Sequence, residues 1–316
     1  MKILMTGCAG YIGSTLLEYL LGAGHDVLGV DNFMYNNSYA LSSYLHHPKF
    51  HCRVENPLSY NFSHFKSLMR DIDVVIPLAA LVGAPLCDRL PEEAVALNQK
   101  FIEDIVYVLK PYQKIIYPNT NSGYGIKEGM CTEEDELNPI SLYGETKCAA
   151  EKAVLSHGNS VVFRLATVFG PSPRMRFDLM VNNLFYRYYK EGGLDMFEPQ
   201  FRRNFVHVRD VARAFMFGLD RDFTGVYNLG NDDMNCTKME LAQKIENFIL
   251  GPVALLGSKI TVGDGKDPDQ RDYNISSQKV RDAGFSFKYG FEEGFTQLET
   301  LCSGMTFEQF KQWRNY

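Results

Sequence analysis

The sequence lacks the features that mark several large classes of proteins. It contains no run of about 18 consecutive apolar residues, so we expect no helix that spans a membrane. Its cysteines are odd in number and form neither a CxxC pair nor a tight cluster with histidine. This spacing indicates neither a disulfide framework nor a zinc site, so we expect reduced thiols and no metal. The seven cysteines are Cys8, Cys52, Cys87, Cys131, Cys148, Cys236 and Cys302.

An excess of positive charge and a secretion signal are lacking as well. Lysine and arginine number 32 against 38 aspartates and glutamates, and the net charge of -6 argues against nucleic-acid or anionic-membrane partners. The first residues, MKILMTG, pass directly into a predicted strand and a glycine turn, without the basic, apolar and cleavage regions of a signal peptide. We therefore expect a cytoplasmic protein.

Strand-like apolar runs alternate with helical patterns through the first half of the 316 residues. The runs are Lys2 to Thr6, Asp26 to Val30, Asp73 to Leu78, Lys114 to Tyr117 and Ser160 to Leu165. Such alternation predicts an α/β fold, a doubly wound parallel sheet with helices on both faces. Beyond residue 170 the pattern becomes irregular, which indicates a smaller mixed C-terminal lobe. We predict domains at residues 1–170 and 171–316, with an approximate boundary and interleaved lobes.

A glycine motif at residues 6–13 follows the first predicted strand and opens a helix. There Gly7 permits a tight turn, Gly10 lets a pyrophosphate approach the backbone, and Gly13 lets the helix pack closely on the strand. The helix N-terminus then faces the phosphates. The alternative is an ordinary glycine turn. The residues predicted to bind the cofactor here are Gly7, Gly10, Tyr11, Ile12 and Gly13.

Asp31 stands eighteen residues after Gly13, at the end of the second predicted strand. A carboxylate at this place accepts hydrogen bonds from ribose hydroxyls and repels a 2′-phosphate. Because no Arg or Lys occurs from Asn32 to Ala40, NAD is favoured over NADP as the cofactor, and we expect Asp31 and Asn32 to bind it. The alternative is an aspartate that only caps the strand.

Tyr143 and Lys147 are four residues apart, so on a helix they share one face. A nearby cation can lower the pKa of a tyrosine from about 10 towards the range where it acts as a general base. The alternative is a solvated helix face.

In chain order, GxxGxxG, Asp31, Leu78-Ala79-Ala80, Asn98, Thr120 before Tyr124-Gly125, and Tyr143 with Lys147 resemble the extended short-chain dehydrogenase/reductase family. The resemblance implies a Rossmann fold that binds NAD in residues 1–170 and a nucleotide sugar in the lobe after them. The catalytic residues that it implies are Tyr143, Lys147 and Thr120. The further cofactor contacts that it implies are Leu78, Ala79, Ala80, Asn98 and Lys147, with a purely structural Asn98 as the alternative. The substrate contacts that it implies are Thr120, Asn121, Ser122, Thr167, Asn182, Arg203 and Arg271, with surface salt bridges as the alternative for the two arginines.

Departures from the family pattern narrow the expected reaction. Sugar 4,6-dehydratases of the family carry Asp and Glu where this chain has Asn121 and Ser122, so dehydration is not expected. Relatives that epimerise C3 and C5 carry Cys at the position of Ser122, and UDP-glucuronate decarboxylases carry Glu there. The chemistry that remains is oxidation at C4, with or without return of the hydride.

Residues 77–87, 117–125, 163–176 and 201–211 resemble a branch of the family that includes bacterial GDP-D-glycero-α-D-manno-heptose 4-dehydrogenases. This resemblance implies 4-oxidation of a GDP-sugar for surface or capsule polysaccharide, with NADH released or reoxidised by a second keto substrate. A 4-epimerase and a non-catalytic NAD-binding sensor or scaffold are the alternatives. The family also implies a homodimer, formed by helices around Pro91 to Leu109 and Leu142 to His157.

Overall fold

A computed structural model describes residues 1–60, 62–251, 258–265 and 272–315 of the chain. The strands are β1 Lys2–Thr6, β2 Asp26–Asp31, β3 Phe50–Val54, β4 Val74–Pro77, β5 Lys114–Thr120, β6 Ile126–Cys131, β7 Ser160–Leu165, β8 Thr167–Phe169, β9 Leu194–Met196, β10 Arg202–His207, β11 Gly225–Leu229, β12 Asn231–Thr237, β13 Ile260–Val262 and β14 Asp272–Ile275. The helices are α1 Tyr11–Gly22, α2 Phe62–Met69, α3 Ala84–Arg89, α4 Pro91–Val95, α5 Phe101–Val108, α6 Leu142–Ser156, α7 Met180–Glu191, α8 Val208–Phe217, α9 Lys238–Leu250, α10 Gln278–Asp282, α11 Phe291–Ser303 and α12 Phe307–Gln312.

The main sheet has seven strands in the order β11-β7-β5-β4-β1-β2-β3. Every neighbouring pair in it runs parallel. The predicted Rossmann-type sheet is therefore confirmed, and the five strands expected from the apolar runs all belong to it. The strand order reverses beside β1, and parallel sheets bind ligands at such a switch point, outside the carboxyl ends of the strands.

Both faces of this sheet are covered, because its strands carry apolar residues on both sides. Along β1, Ile3 and Met5 pack with Leu16 and Phe215 of α1 and α8. Leu4, which points to the opposite face, packs with residues of α5 and α6. Strands buried on both faces appear as continuous apolar runs, which is the pattern that predicted them.

The chain after residue 170 forms a separate aromatic core and most strands of three small sheets, while β6 and β8, which precede residue 170, complete two of those sheets. One sheet has the order β12-β10-β8, and the pairs β13-β9 and β14-β6 form two more. The core of this lobe contains Phe177, Phe185, Tyr188, Phe205 and Phe295. The same part of the chain also returns β11 to the edge of the main sheet.

The C-terminal segment packs against the start of this lobe. The N–H of Phe177 donates to the carbonyl of Trp313 at 2.7 Å, and the rings of Tyr186 and Phe310 stack with their centres 3.9 Å apart. These contacts carry residues 313–315 towards the carboxyl edge of the main sheet.

In the described part of the chain, no helix combines the length and the apolar character that crossing a bilayer requires.

Candidate active site

A cavity of about 1180 Å³ opens at the carboxyl ends of the parallel strands. It is bounded by the glycine turn, the ends of β2, β4 and β5, the start of α6, and the lobe after residue 170. The structure therefore brings most of the predicted residues to one place. Those that line the cavity are Gly7, Gly10, Tyr11, Ile12, Gly13, Asp31, Asn32, Leu78, Ala79, Ala80, Thr120, Ser122, Tyr143, Lys147 and Thr167.

The glycine turn is packed so closely that it admits no side chains. Gly7 has a φ of +70°, and a Cβ added there would lie 2.7 Å from the backbone N of Ala79. A Cβ on Gly13 would lie 2.9 Å from the Cα of Cys8. Gly10, which precedes α1, provides no side-chain cap for that helix. The first N–H groups of α1 thus remain able to bind the phosphates of a dinucleotide.

Asp31 organises the turn from the end of β2. One carboxylate oxygen accepts from the N–H of Ala9 at 3.0 Å and the other from the N–H of Phe33 at 2.9 Å. Burial raises the pKa of Asp31, and the two backbone donors oppose that shift. The carboxylate still lines the cavity, so its remaining lone pairs can accept ribose hydroxyls.

Asn37 is a cavity residue that the sequence did not predict. Its Nδ2 donates to the carbonyl of Ala9 at 2.8 Å. Its buried Oδ1 has no hydrogen-bond partner among the described residues. A buried carbonyl oxygen without a donor is costly, and a ribose hydroxyl would satisfy it. The glycine cradle, Asp31 and Asn37 together fit a bound dinucleotide.

The helix α6 places Tyr143 and Lys147 on the same side of the cavity. Its N-cap is Ser141, whose hydroxyl accepts from the N–H of Gly144 at 3.2 Å and so satisfies one free donor of the first turn. The Lys147 ammonium lies 4.0 Å from the centre of the Tyr117 ring. Lys147 is only 3% exposed, and burial lowers its pKa to about 7.

Thr120 ends β5 and faces the same cavity. Its hydroxyl lies 2.8 Å from the hydroxyl of Ser122 and accepts from the Ser122 N–H at 3.1 Å. The two hydroxyls form a short polar row beside α6. Hydroxyl groups can donate and accept, so the row can orient a sugar hydroxyl without carrying a charge.

A buried ion pair holds α6 against β7, the neighbour of the strand that ends at Thr120. Glu151, two turns after Tyr143, contacts Arg164 of β7 at 2.6 Å. The side chains are 4% and 6% exposed, respectively. The amide of Asn119, next to Thr120, also donates to Glu151. The ion pair therefore links β5, β7 and the helix that carries the Tyr and Lys.

Two of the predicted asparagines hydrogen-bond to the protein backbone and do not line the cavity. Asn98 lies in a π-helical turn between α4 and α5, and its amide pairs with the N–H and the carbonyl of Leu81, both at 2.9 Å. It holds the loop after β4 and does not itself line the cavity. Asn121 is fully buried, and its amide donates to the carbonyl of Arg164 at 2.9 Å.

Asn182 and Arg203 are also not brought to the cavity wall. Asn182 accepts from the N–H of Gly170 at 3.0 Å and donates to the carbonyl of Arg176 at 2.9 Å, whereas the next residue, Asn183, faces the cavity. Arg203 is 1% exposed in β10, behind the cavity residue Tyr273. Arg271 lies outside the described residues.

The C-terminal lobe contributes cavity residues that the sequence did not single out. Arg174 lies over the Tyr35 ring, with 5.2 Å between the guanidinium carbon and the ring centre, and donates to Asn315 at 2.7 Å. Arg176 pairs with the buried Asp178. The only sequence signal for Arg174 and Arg176 is their place in the stretch 163–176, which resembles a branch of the family, and nothing in the sequence indicates Asn315.

The structure combines a parallel sheet, a glycine turn without side chains before the first helix, and a Tyr/Lys pair at the same cavity. Together these features define a dinucleotide-dependent enzyme. The sequence model of the NAD dependent epimerase/dehydratase family matches residues 3–230, and the chain belongs to that family. The protein is thus an NAD-dependent enzyme of the nucleotide-sugar epimerase/dehydratase type.

Individual relatives cover nearly the whole chain. A Bacillus subtilis protein named as an uncharacterized UDP-glucose epimerase, YtcB, is 31% identical over 96% of this chain and 100% of its own length. UDP-glucuronic acid decarboxylase 1 of Arabidopsis thaliana is 24% identical over 94% of this chain and 69% of its own. The solved UDP-glucuronic acid 4-epimerase of Bacillus cereus, bound to UDP-glucuronic acid and NAD, shares the fold with a TM-score of 0.81, at 23% identity over 96% of this chain and 99% of that one.

Replacing Gly13 with alanine tests the glycine cradle. The added Cβ would contact the backbone of Cys8. Such overpacking typically costs about 1–3 kcal/mol, and it is relieved only if the turn moves. We expect Gly13→Ala to raise the NAD dissociation constant at least about tenfold, as measured by calorimetry. Gly22→Ala, at the open end of the same helix, is the matched control. Equal NAD affinity of the two variants would contradict the assignment.

The buried Lys147 predicts a pH-dependent stability. Its pKa of about 7 lies below the value of about 10.4 for lysine in an unfolded chain, so the folded protein binds fewer protons between those pH values. Relative to Lys147→Met, the free energy of unfolding of the wild type should rise above pH 7 by up to about 1.4 kcal/mol per pH unit. Urea unfolding without NAD at pH 7, 8 and 9 measures this difference. Lys152→Met, exposed on the same helix, controls for loss of a charge, and a flat difference for Lys147→Met would refute the prediction.

Proposed function

We propose that the protein is a nucleotide-sugar 4-epimerase, which oxidises the C4 hydroxyl of its substrate with NAD and returns the hydride to the opposite face of the sugar. The observation that carries the proposal is the convergence of Tyr143, Lys147 and Thr120 on the cavity that also contains the glycine turn. The name of the Bacillus subtilis relative, a UDP-glucose epimerase, supports hydride return and a UDP-sugar substrate.

In this proposal Tyr143 acts as a phenolate that removes the proton from the sugar O4. The ammonium of Lys147, one helical turn away, favours the phenolate by its charge. The Thr120 hydroxyl, hydrogen-bonded to Ser122, orients O4 towards Tyr143. When bound, NAD supplies the acceptor for the C4 hydride. After the 4-keto sugar has rotated in the cavity to present its opposite face to the hydride, Tyr143 returns the proton to O4.

The chemical character of the Ser122 side chain supports a reaction that is limited to C4 of the sugar. Loss of water or inversion at C5 requires a group that removes the C5 proton, such as a carboxylate or a thiolate. Ser122 is 2% exposed, and its hydroxyl lies 2.8 Å from the hydroxyl of Thr120. A neutral serine hydroxyl is a weaker base than a carboxylate or a thiolate. Dehydration of the nucleotide sugar and inversion at C5 are therefore not part of the proposal.

The second candidate is a GDP-D-glycero-α-D-manno-heptose 4-dehydrogenase of surface polysaccharide synthesis. Its support is the resemblance of residues 77–87, 117–125, 163–176 and 201–211 to that branch. The same tyrosine chemistry applies, but the hydride leaves with NADH or passes to a second keto substrate. The two candidate functions also differ in the nucleotide of the substrate, which is UDP for the epimerase and GDP for the dehydrogenase.

Further predictions belong to this proposal. Thr167 and Arg271 are proposed to contact the nucleotide sugar. Asn182 and Arg203, which lie behind the cavity wall, are proposed to support the residues that line its lobe. Residues 1–170 are proposed as the NAD-binding domain and 171–316 as the substrate lobe. A homodimer is proposed through α5 and α6, where Tyr107 is 79% exposed and Leu155 is 36% exposed.

Tyr143→Phe tests the catalytic base. General base catalysis contributes about 10²- to 10⁴-fold, so we expect turnover to fall at least about 10²-fold. NAD affinity should persist, because the phenol oxygen is not part of the glycine cradle. Tyr112→Phe, at an exposed tyrosine between α5 and β5, is the matched control and should retain full turnover. Unimpaired turnover by Tyr143→Phe would reject the assignment.

Substrate assays separate the candidate functions. UDP-glucose, UDP-glucuronic acid, GDP-mannose and GDP-D-glycero-α-D-manno-heptose are each incubated with the enzyme and NAD, while absorbance at 340 nm and the products are followed. We expect a UDP-sugar to yield a stereoisomer of unchanged mass without lasting NADH. Accumulated NADH with a 4-keto GDP-heptose would establish the second candidate instead. NAD binding without turnover of any of the four would favour a sensor or scaffold.

A further inference from the structure

Two cysteines from different parts of the sequence meet beneath the glycine turn. Cys8 belongs to the turn itself and is fully buried, whereas Cys52 lies in the edge strand β3 and is partly exposed. Neither has a part in the proposed catalysis. All seven cysteines of the chain are free thiols.

The geometry of the sheet explains why these two thiols are neighbours. Gly29 of β2 pairs in register with Cys52 of β3, and paired residues of parallel strands project to the same face, with about 4.8 Å between strands. Gly29 has no side chain, and the Sγ of Cys8 lies 2.7 Å from the position that its Cβ would occupy. The Cys8 thiol therefore fills the place of the missing side chain, beside Cys52.

Phe50 independently confirms which face Cys52 takes. It lies two residues before Cys52 on β3 and so projects to the same face. Its ring carbon Cε2 is 2.9 Å from the same Gly29 Cβ position. Phe50 and Cys8 belong to one apolar cluster, and Cys52 packs against that cluster.

The surroundings give the two thiols different reactivity. The interaction between the two thiols lowers the pKa of Cys52 and raises the pKa of Cys8. The charge of Asp31 acts against ionisation of both. Because the thiolate is the nucleophile in thiol chemistry, the accessible Cys52 is the thiol that reacts first and Cys8 the one that follows.

We propose that Cys8 and Cys52 form a reversible disulfide that disables the cofactor-binding turn. The oxidant is a low-molecular-weight disulfide. The Cys52 thiolate attacks one of its sulfurs, forming a mixed disulfide and releasing one small thiolate. Cys8 then loses its proton to solvent or to that thiolate and attacks the sulfur of Cys52. The protein disulfide forms, and the second small thiolate leaves.

Bond formation requires the turn to move, because bonded sulfurs lie about 2.05 Å apart, much closer than thiols in contact. The turn has little freedom for this movement. Gly7 already packs against Ala79, and the residue after Cys8, Ala9, is held by Asp31 and Asn37. A shift of Cys8 towards β3 therefore displaces the backbone on which the dinucleotide phosphates rest.

The test uses the purified full-length protein and oxidised glutathione as the probe. After alkylation of remaining thiols and digestion with trypsin without reduction, we expect residues 3–49 and 50–53 to be joined through Cys8 and Cys52. NAD affinity should fall at least about tenfold on oxidation and return with dithiothreitol. Absence of the joined peptide, or its formation with unchanged NAD affinity, would overturn the proposal.

Two variants separate this pair from general oxidation damage. Cys52→Ser should bind NAD like the reduced wild type and lose the response to oxidised glutathione. Cys236→Ser, at a buried cysteine of the C-terminal lobe, is the matched control and should keep the full response. A response retained by Cys52→Ser would refute the role of this pair. The peptide map of the wild type decides the question independently of how either variant folds, and neither readout depends on sugar turnover.

Discussion

The buried ion pair between Glu151 and Arg164 is the constraint on which the arrangement of the site depends. Two charges removed from water are stable only together, since loss of one partner leaves the other uncompensated at a cost of about 3–5 kcal/mol. Glu151 and Arg164 belong to α6 and β7, and the amide of Asn119 joins them from β5. The position of Tyr143 and Lys147 relative to Thr120 is therefore set by electrostatics in the core behind the cavity.

The cofactor side depends on a different physical principle, which is close backbone packing. The turn that carries Gly7 and Gly13 lies so near its own helix and the end of β4 that a methyl group would displace it. Asp31 and Asn37 then bind the turn from the side through Ala9. The two halves of the site thus meet at the edge of one sheet, and each is held in place by contacts within the protein.

The sequence predicted the fold well because its signals were local. Strands buried on both faces are continuous apolar runs, so all five predicted strands could be located, and the glycine motif fixed the first turn between strand and helix. Tyr143 and Lys147, which were predicted to share one helix face, both lie in α6 and line the cavity. Less could be predicted beyond residue 170, where short strands pair with distant partners and β11 rejoins the main sheet. The cavity residues Asn37, Arg174 and Asn315 had no local pattern that would identify them.

The sequence by itself determined the parallel sheet, the uncapped start of the first helix, the acidic residue that ends β2 and the spacing of the tyrosine and lysine. These features could be predicted because periodicity and single-residue conformational freedom act over a few residues. Only the tertiary structure decided that Asn182 lies behind the cavity wall while Asn183 faces it, that the C-terminal Asn315 reaches Arg174, and that Cys8 meets Cys52. These contacts depend on strand register and on how the lobes pack, and both are set by long-range burial that no local pattern contains.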